Sequence, residues 1–191
     1  MLSRKKEEYR QYYLNIRENF SPEEIKEKST KICQTLLSLP IWQRANTVML
    51  YVSVRNEVDT TTLIQAALKE NKTVLLPRVE DKIDIVPYKI KRFPEDVSPG
   101  FAGIPEPIPQ KALSWHEEID LIVVPGIVFD VRGGRIGYGL GCYDRFLKKM
   151  DAAIKIGLTF ERCLTYALPL EPQDETVDIV ITEEHIFRAE K

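Results

Sequence analysis

Cysteine and histidine are scarce in this chain of 191 residues, which contains three cysteines and two histidines. The cysteines are odd in number and far apart, which excludes a disulfide framework and a C-x-x-C metal site. The histidines, His116 and His185, are too few and too distant in sequence for a zinc site. Unpaired thiols are typical of a reducing compartment, so we expect a cytoplasmic protein.

The chain also lacks a strong net charge, a targeting peptide and a long hydrophobic run. A net charge of −2 argues against a general binder of nucleic acids or membrane surfaces and leaves only a local basic patch open. The longest apolar run, residues 121–129, is too short to span a membrane. Glu7 and Glu8 lie in an N-terminal segment without an apolar stretch, unlike a signal or transit peptide. We therefore expect no nucleic-acid partner and no membrane association.

Helical and strand patterns alternate along the rest of the chain, and its 43% hydrophobic share is sufficient for a buried core. Ser21, Pro22 and Glu24 are the start signature of a helix. Residues 94–109 hold five prolines and predict an irregular loop that is functional or mobile. Helices are predicted at 3–20, 21–40, 59–71 and 143–150, and strands at 47–52, 73–77, 83–88, 120–125, 154–160 and 177–182. This order predicts a single three-layer α/β/α domain, residues 1–191, around a mainly parallel sheet.

Five of the nine glycines lie between Gly133 and Gly141, after the strand at 120–125 and before the helix at 143–150. Glycine-rich turns between a strand and a helix hold phosphate, because backbone N–H groups and the helix dipole point at the ligand. The spacing matches neither the dinucleotide pattern G-x-G-x-x-G nor the Walker A pattern. From the residues alone, a phosphate cradle and a flexible surface turn are equally open.

Two acidic residues are candidates for binding a cation. Asp144, in the first turn of the helix at 143–150, is either an ordinary helix cap or, beside a phosphate, a ligand of Mg²⁺. Asp178 lies in an apolar run, where an unpaired carboxylate is costly, so a cation or a basic partner is expected there.

The segment DLIVVPGIVFDVRGGRIGYGLGCYDRFL, residues 120–147, resembles the signature of the 5-formyltetrahydrofolate cyclo-ligase family. The likeness continues, in chain order, in KEEYR at 6–10, YVSVRNEVDT at 51–60, LPR at 76–78, GIPEP at 103–107 and VDIVIT at 177–182. The resemblance implies a single three-layer α/β domain. It also implies an enzyme that uses ATP and Mg²⁺ to cyclise 5-formyltetrahydrofolate to 5,10-methenyltetrahydrofolate, with release of ADP and phosphate.

The same resemblance implies roles for individual residues. Catalytic roles fall to Arg135, Tyr143 and Asp144. ATP is expected to contact Lys6, Arg10 and the loop residues Gly134, Arg135, Ile136, Gly137, Tyr138, Gly139, Leu140, Gly141, Cys142 and Tyr143. The folate is expected to contact Val52, Glu57, Tyr138 and Cys142, and Mg²⁺ is expected to bind Asp144 together with Asp178. The proline-rich loop is expected to wall or cover this site.

Simpler interpretations stay open for some of these residues. Lys6 and Arg10 also fit a solvated helix face on which Glu7 and Glu8 balance their charge. Glu57 also fits an ordinary turn or helix cap. Three positions depart from the family pattern: Tyr9 replaces leucine, Leu140 replaces lysine or glycine, and Cys142 replaces an aromatic residue. The last two put contacts to nucleotide or folate in question.

The implied reaction needs no covalent nucleophile, because the formyl oxygen attacks the γ-phosphorus and N10 then closes the ring. A chain without a Ser-His or Cys-His arrangement suits such chemistry. Two alternatives remain open: a folate-binding protein without turnover, based on Leu140 and Cys142, and a phosphosugar isomerase-like enzyme, based on related folds that bind sugar phosphates. We expect a monomer whose partners are the small molecules ATP and 5-formyltetrahydrofolate.

Overall fold

The computed structural model describes residues 2–189 as a mixed α/β fold around one large, mostly parallel sheet. The helices are α1 (Leu2–Glu18), α2 (Pro22–Ser38), α3 (Pro40–Arg44), α4 (Thr61–Lys69) and α5 (Cys142–Leu147). The strands are β1 (Thr47–Met49), β2 (Thr73–Glu80), β3 (Asp84–Ile90), β4 (Val97–Pro99), β5 (Pro105–Pro107), β6 (Leu113–Ser114), β7 (Leu121–Val124), β8 (Val128–Asp130), β9 (Arg135–Ile136), β10 (Ile154–Leu158), β11 (Leu164–Thr165), β12 (Ile179–Ile181) and β13 (Ile186–Arg188). Every predicted helix and strand is present, with ends within three residues of the prediction.

The large sheet has the strand order β13-β12-β10-β7-β1-β2-β3-β6. Its five central strands, from β12 to β2, are parallel, and the outer strands pair antiparallel at both edges. Central parallel strands are buried on both faces, which explains their continuous apolar sequences. This architecture confirms the predicted α/β class and the mainly parallel sheet.

Strand β7 shows how the two faces of the sheet are covered. Leu121 and Val123 face a core that includes side chains of α1, α2 and α4. Ile122 and Val124 face the other way, into a smaller core that includes Phe146 and Leu147 of α5. Alternate residues of a strand point to opposite faces, so one continuous apolar run supplies both cores. The predicted three layers are therefore present, although the layer formed by α5 is thin.

Local signals set the start of α2 as predicted. The Ser21 side chain accepts the N–H of Glu24, and the Glu24 carboxylate accepts the N–H of Ser21. Pro40, which was expected only to end this helix, also begins the short helix α3. Proline suits the first position of a helix because its missing N–H has no partner there anyway.

The prediction that residues 94–109 form an irregular loop is wrong in part. Val97–Pro99 and Pro105–Pro107 pair as an antiparallel ribbon, β4 with β5. The buried carboxylate of Glu106 ties this ribbon to β2, because it accepts the N–H of Val79 at 3.0 Å and lies 3.4 Å from Nη1 of Arg78. Prolines tolerate such an edge ribbon, whose N–H groups are only partly used.

The parallel topology positions the loops that matter for function. Strands β1 and β7 are neighbours and run in the same direction, so the segments that follow them emerge at the same edge of the sheet. These segments carry Glu57 on one side and the glycine-rich loop on the other. No helix within residues 2–189 is both long and apolar enough to cross a membrane.

Candidate active site

A cleft of about 920 Å³ opens at this edge of the sheet. Its walls come from α1, the segment after β1, the tip of the proline-rich ribbon, the glycine-rich loop with α5, and residues 171–174. The cleft brings together all the site residues predicted from the sequence except Gly134 and Asp178. Residues from Phe101 to Glu106 form one wall, as expected of the proline-rich segment.

The glycine-rich loop is a fixed structure rather than a loose turn. Gly139 and Gly141 have φ angles of 99° and 65°, a backbone region that residues with a Cβ rarely adopt. Nε of Arg10 donates to the carbonyl oxygen of Gly137 at 2.8 Å, and Nη1 of Arg145 donates to that of Leu140 at 3.1 Å. Arginines from two helices, α1 and α5, thus bond to carbonyl oxygens of the loop, which disfavours the flexible-turn interpretation.

Gly134 is hydrogen-bonded inside the fold and does not line the cleft. Its N–H donates to Oδ1 of Asp130 at 2.7 Å, and the same oxygen accepts the N–H of Arg132 at 2.9 Å. Oδ2 of this buried carboxylate accepts the N–H of Leu168 at 2.8 Å. The prediction that Gly134 contacts ATP is therefore not supported, because its N–H group already has a partner inside the fold.

Arg135 and Asp144 form an ion pair in the cleft. Nη2 of Arg135 lies 2.7 Å from Oδ1 of Asp144, and that oxygen also accepts the N–H of Glu175 at 3.2 Å. The guanidinium is buried, and within residues 2–189 its Nε has no hydrogen-bond partner. Asp144 also lies in the first turn of α5, so a contribution to the start of this helix stays open beside the ion pair.

Tyr143 lies beside this pair. The guanidinium carbon of Arg135 is 5.6 Å from the centre of the Tyr143 ring. Burial, together with the nearby charge of Glu57, raises the pKa of the Tyr143 hydroxyl, which stays protonated near neutral pH.

Lys6 is buried in the cleft and does not belong to a solvated helix face. Its Nζ lies 2.7 Å from Oε2 of Glu171 and 2.5 Å from Oδ2 of Asp174. Burial alone would lower the pKa of Lys6, but hydrogen bonds to Asp174 and Glu171 outweigh it, so the pKa is raised. Neither acid was predicted as a site residue, since both lie far from Lys6 along the chain.

The first helix presents Arg10 differently. Nη1 of Arg10 pairs with Oε2 of Glu7 at 2.8 Å, as the solvated-face interpretation expects, while Nε reaches the loop at Gly137. The guanidinium also lies against Gly139, since a Cβ built on that glycine would be 3.4 Å from the Arg10 Cζ. Arg10 therefore joins the helix surface to the glycine-rich loop.

Glu57 is buried and lines the cleft from the segment that follows β1. Oε2 accepts the N–H of Val54 at 3.0 Å, and Oε1 accepts the hydroxyl of Tyr138 at 3.1 Å. Burial raises the pKa of the Glu57 carboxyl, and the Val54 N–H and the nearby charge of Arg17 oppose that shift. Val52 lines the cleft beside it. Glu57 thus makes a local turn contact and also presents a carboxylate to the cleft.

Arg17 is a polar residue of this region that sequence reasoning missed. It is 2% exposed and donates to the carbonyl oxygens of Gly126 and Arg55, each at 3.0 Å, and to the hydroxyl of Tyr138 at 2.7 Å. The available signal was its position, two helical turns after Arg10 on the same face of α1.

The structure does not bring Asp178 into the cleft with Asp144. Oδ2 of Asp178 accepts the N–H of Lys155 at 2.8 Å, at the beginning of β10. The carboxylate therefore bonds to the sheet and does not line the cleft, while its joint binding of Mg²⁺ with Asp144 stays a prediction. Asp174 does line the cleft, and the N–H of the next residue, Glu175, bonds to the Asp144 carboxylate.

The cleft carboxylates suit a cation that also takes ligands from a substrate. Among the described residues, the cleft contains no three carboxylate, imidazole or thiolate groups close enough together to hold a metal alone. Mg²⁺ commonly binds one or two carboxylates and completes its shell with phosphate oxygens and water. Asp144 and Asp174 are a donor set of this kind.

Of the three residues that depart from the family pattern, Leu140 and Cys142 line the cleft and Tyr9 does not. Leu140 is 54% exposed at the mouth of the cleft, and Cys142 is partly buried at the start of α5. Burial raises the pKa of the Cys142 thiol, so it is not a thiolate nucleophile at neutral pH.

Comparison with known proteins gives consistent matches over nearly the whole chain. A model of the 5-formyltetrahydrofolate cyclo-ligase family matches residues 2–183. A Schizosaccharomyces pombe protein named probable 5-formyltetrahydrofolate cyclo-ligase is 29% identical over 179 residues, which cover 86% of this chain and 88% of that protein.

Two solved structures are also similar. The NMR structure of Aquifex aeolicus 5,10-methenyltetrahydrofolate synthetase has 35% sequence identity and a TM-score of 0.86, covering 97% of this chain and 93% of that one. The synthetase of Mycoplasma pneumoniae has 23% identity and a TM-score of 0.75, covers 93% of this chain and 98% of that one, and supports the fold alone.

Proposed function

The chain belongs to the 5-formyltetrahydrofolate cyclo-ligase family, and we propose that it converts 5-formyltetrahydrofolate to 5,10-methenyltetrahydrofolate with ATP and Mg²⁺. Methenyltetrahydrofolate synthetase activity is the activity of its relatives, which favours this reaction over a phosphosugar isomerase or a folate-binding protein without turnover. The use of ATP, the metal and the residue roles are the parts that we add.

One observation carries the proposal: two walls of chemically different residues line a single cleft. One wall has the glycine-rich loop and the cations Lys6, Arg10 and Arg135, which suit a nucleotide triphosphate. The other has Val52, the buried carboxylate of Glu57 and the tip of the proline-rich ribbon, which suit an aromatic ring system with N–H donors. A volume of about 920 Å³ accommodates two substrates side by side.

The chemistry follows from bringing these substrates together. The formyl oxygen attacks the γ-phosphorus of ATP and ADP leaves, which turns that oxygen into a phosphate leaving group. N10 then attacks the formyl carbon, the C–O bond breaks with release of phosphate, and N10 loses its proton as the cationic methenyl bridge forms. Both steps need alignment and charge stabilisation more than a covalent nucleophile, so a buried cation such as Arg135 beside the loop suits the transferring phosphoryl group.

Glu57 suits recognition of the folate. An ionised carboxylate only accepts hydrogen bonds, and a pterin ring presents N–H donors along one edge. Tyr138 already donates to one Glu57 oxygen, and the Val54 N–H to the other, so the carboxylate is held in a defined orientation. Its remaining lone pairs are directed by these two contacts.

Asp144 and Asp174 would hold Mg²⁺, and this assignment replaces the pair Asp144 and Asp178. The ion supplies charge neutralisation of the phosphates when bound. Lys6, fixed by Glu171 and Asp174, contributes a cation at the same part of the cleft. Arg135 orients Asp144 through its 2.7 Å contact.

We further propose that the chain acts as one domain, as a monomer and in the cytoplasm. Alignment of the Schizosaccharomyces pombe relative over most of both chains supports a single domain. Light scattering coupled to size-exclusion chromatography tests the oligomeric state, because a monomer has a mass of 22.1 kDa.

The test of the function is one assay. Purified protein is mixed with 5-formyltetrahydrofolate, ATP and Mg²⁺, and the near-ultraviolet absorbance of the methenyl product is followed. Product formation that requires ATP and stops with EDTA supports the proposal. Absence of product together with absence of ATP binding would refute it. Folate binding without product would instead favour the protein without turnover.

A further inference from the structure

Arg17 links three segments of the cleft wall. Nη1 donates to the carbonyl oxygen of Gly126, which follows β7, and Nη2 donates to the carbonyl oxygen of Arg55, which follows β1. Nη2 also donates to the hydroxyl of Tyr138 in the glycine-rich loop at 2.7 Å. One guanidinium group therefore joins both walls.

The hydrogen bond to Tyr138 has a defined direction. Arginine only donates, so the Tyr138 oxygen accepts from Arg17 and its single proton is free for another acceptor. That acceptor is Oε1 of Glu57 at 3.1 Å. Arg17 thereby selects the rotamer of the Tyr138 O–H that is donated to Glu57.

The charges of this group belong together. Within residues 2–189, Arg17 has no carboxylate within salt-bridge distance, and its buried Nε has no hydrogen-bond partner. A buried cation without an anion is costly. The nearest anion along its bonds is Glu57, one hydroxyl away. Arg17, Tyr138 and Glu57 therefore form one buried ionic unit across the two walls.

We propose that Arg17 is a positioning residue for the folate: through the Tyr138 hydroxyl it holds the Glu57 carboxylate in the orientation that binds the substrate. The proposal rests on the function proposed above, because it presumes that Glu57 contacts the folate. Arg17 itself does not line the cleft and acts only through Tyr138.

The test is a double-mutant cycle with Tyr138→Phe, Arg17→Lys and the double variant. Tyr138→Phe removes only a hydroxyl from a partly exposed ring, so it folds even if Arg17 variants do not. KM values for folate and for ATP are measured, and the dissociation constant of 5-formyltetrahydrofolate is measured by calorimetry. Arg4→Lys on the same helix is the matched control, because Arg4 is exposed and pairs only with Glu8.

Each single variant should raise the folate KM and dissociation constant about tenfold, the effect of one hydrogen bond to a charged group. The double variant should be no worse than either single one, since both break the same chain of bonds. The ATP KM should stay close to wild type, because the loop backbone is unchanged. Arg4→Lys should change nothing.

A pH profile supplies a readout that a merely structural arginine would not move. The charged and titratable groups facing Glu57 are Arg17, Arg55, Tyr51, Tyr138 and Tyr143. Arg17 and Tyr138 both favour the ionised carboxylate, so their loss raises the pKa of Glu57 further. The acid limb of kcat/KM for the folate should therefore move to higher pH in Tyr138→Phe, and less in Arg17→Lys, which keeps the positive charge.

Three results would overturn the proposal: multiplicative effects of the two variants, equal losses for ATP and folate, or an unmoved acid limb. Failure of the function itself looks different, since wild-type protein would then form no product. In that case the calorimetric cycle still decides the coupling, because it measures folate binding without turnover.

Discussion

The Nη2 atom of Arg135 lies 2.7 Å from Oδ1 of Asp144, so a buried cation and the first acid of α5 are paired within the cleft. Each partner constrains the other: the arginine orients the carboxylate, and the carboxylate fixes the guanidinium. Loss of either one leaves a charge in the cleft without its counter-ion, which costs more than the pair itself contributes. The pair holds Asp144 in the cleft, whereas Asp178 bonds to the N–H of Lys155 at the start of β10.

Asp144→Asn is expected to lower kcat/KM by about a hundredfold, as loss of one charged group from a preorganised site does. Asp174→Asn should raise the Mg²⁺ concentration needed for half-maximal rate. Asp178→Asn should leave turnover close to wild type and lower the free energy of unfolding by about 1 kcal/mol, because it weakens one bond to β10. Steady-state rates across a Mg²⁺ titration, with urea unfolding, measure all three. A large loss of turnover in Asp178→Asn with normal stability would restore Asp178 as a ligand.

Arg10→Glu is expected to raise the KM for ATP by at least about tenfold, since reversal of charge beside the loop repels the phosphates. The folate KM should change much less, because Glu57 lies on the other wall. Arg4→Glu on the same helix is the control, as its exposed side chain contacts only Glu8. Equal effects of the two substitutions would show that Arg10 acts through the general field of the helix rather than at the loop.

Glu57→Gln is expected to weaken folate binding and to change how the stability of the fold depends on pH. Burial raises the pKa of Glu57 above its ordinary value of 4.5, so the folded state binds this proton more strongly than the unfolded chain. Ionisation therefore removes stability as the pH rises from 4.5 through the raised pKa. Relative to wild type, the free energy of unfolding of Glu57→Gln should be lowest below pH 4.5 and should rise to a plateau above the raised pKa. Urea unfolding at several pH values measures this difference, and a difference that does not vary with pH would contradict the prediction.

The three thiols should differ in reactivity. Burial raises the pKa of Cys33 to about 12 and that of Cys163 to about 11, so neither forms a thiolate at pH 8. Cys142 is partly exposed in the cleft and should be alkylated first by iodoacetamide. ATP should slow that reaction, and Cys142→Ser should abolish the fast phase seen by mass spectrometry. Fast labelling of Cys33 or Cys163 in the folded protein would be inconsistent with their burial.

Local sequence patterns predicted the fold well. Three signals were informative: the capping box at Ser21 and Glu24, the apolar runs of the central strands, and the prolines at helix ends. Each depends on residues that are close together in the chain, so it can be recognised from the sequence. Strands such as β8, β9 and β11 were missed, because two or three residues carry no periodic signal. The β4–β5 ribbon was missed for a different reason, since Glu106 anchors it to a distant strand.

The candidate site was predicted from patterns in part only. The glycines, Arg135 and Asp144 lie in one short segment, so their proximity follows from the sequence. Other contacts join segments that are far apart in the chain, so the sequence does not reveal them. Lys6 pairs with Glu171 and Asp174, and Arg17 donates to Tyr138. Asp178 was predicted from its place in an apolar run to have a cation or basic partner, and the structure shows its carboxylate accepting the N–H of Lys155 at the start of β10.

The sequence by itself therefore determined the order of helices and strands, the parallel core and the position of the glycine-rich loop, because these depend on residues close together in the chain. Only the tertiary structure decided which polar groups meet at the cleft: that Lys6 pairs with Glu171 and Asp174, that the Glu175 N–H bonds to Asp144, and that Arg17 donates to the Tyr138 hydroxyl that bonds to Glu57. Those choices follow from long-range packing, where the cost of burying an unpaired charge selects its partner.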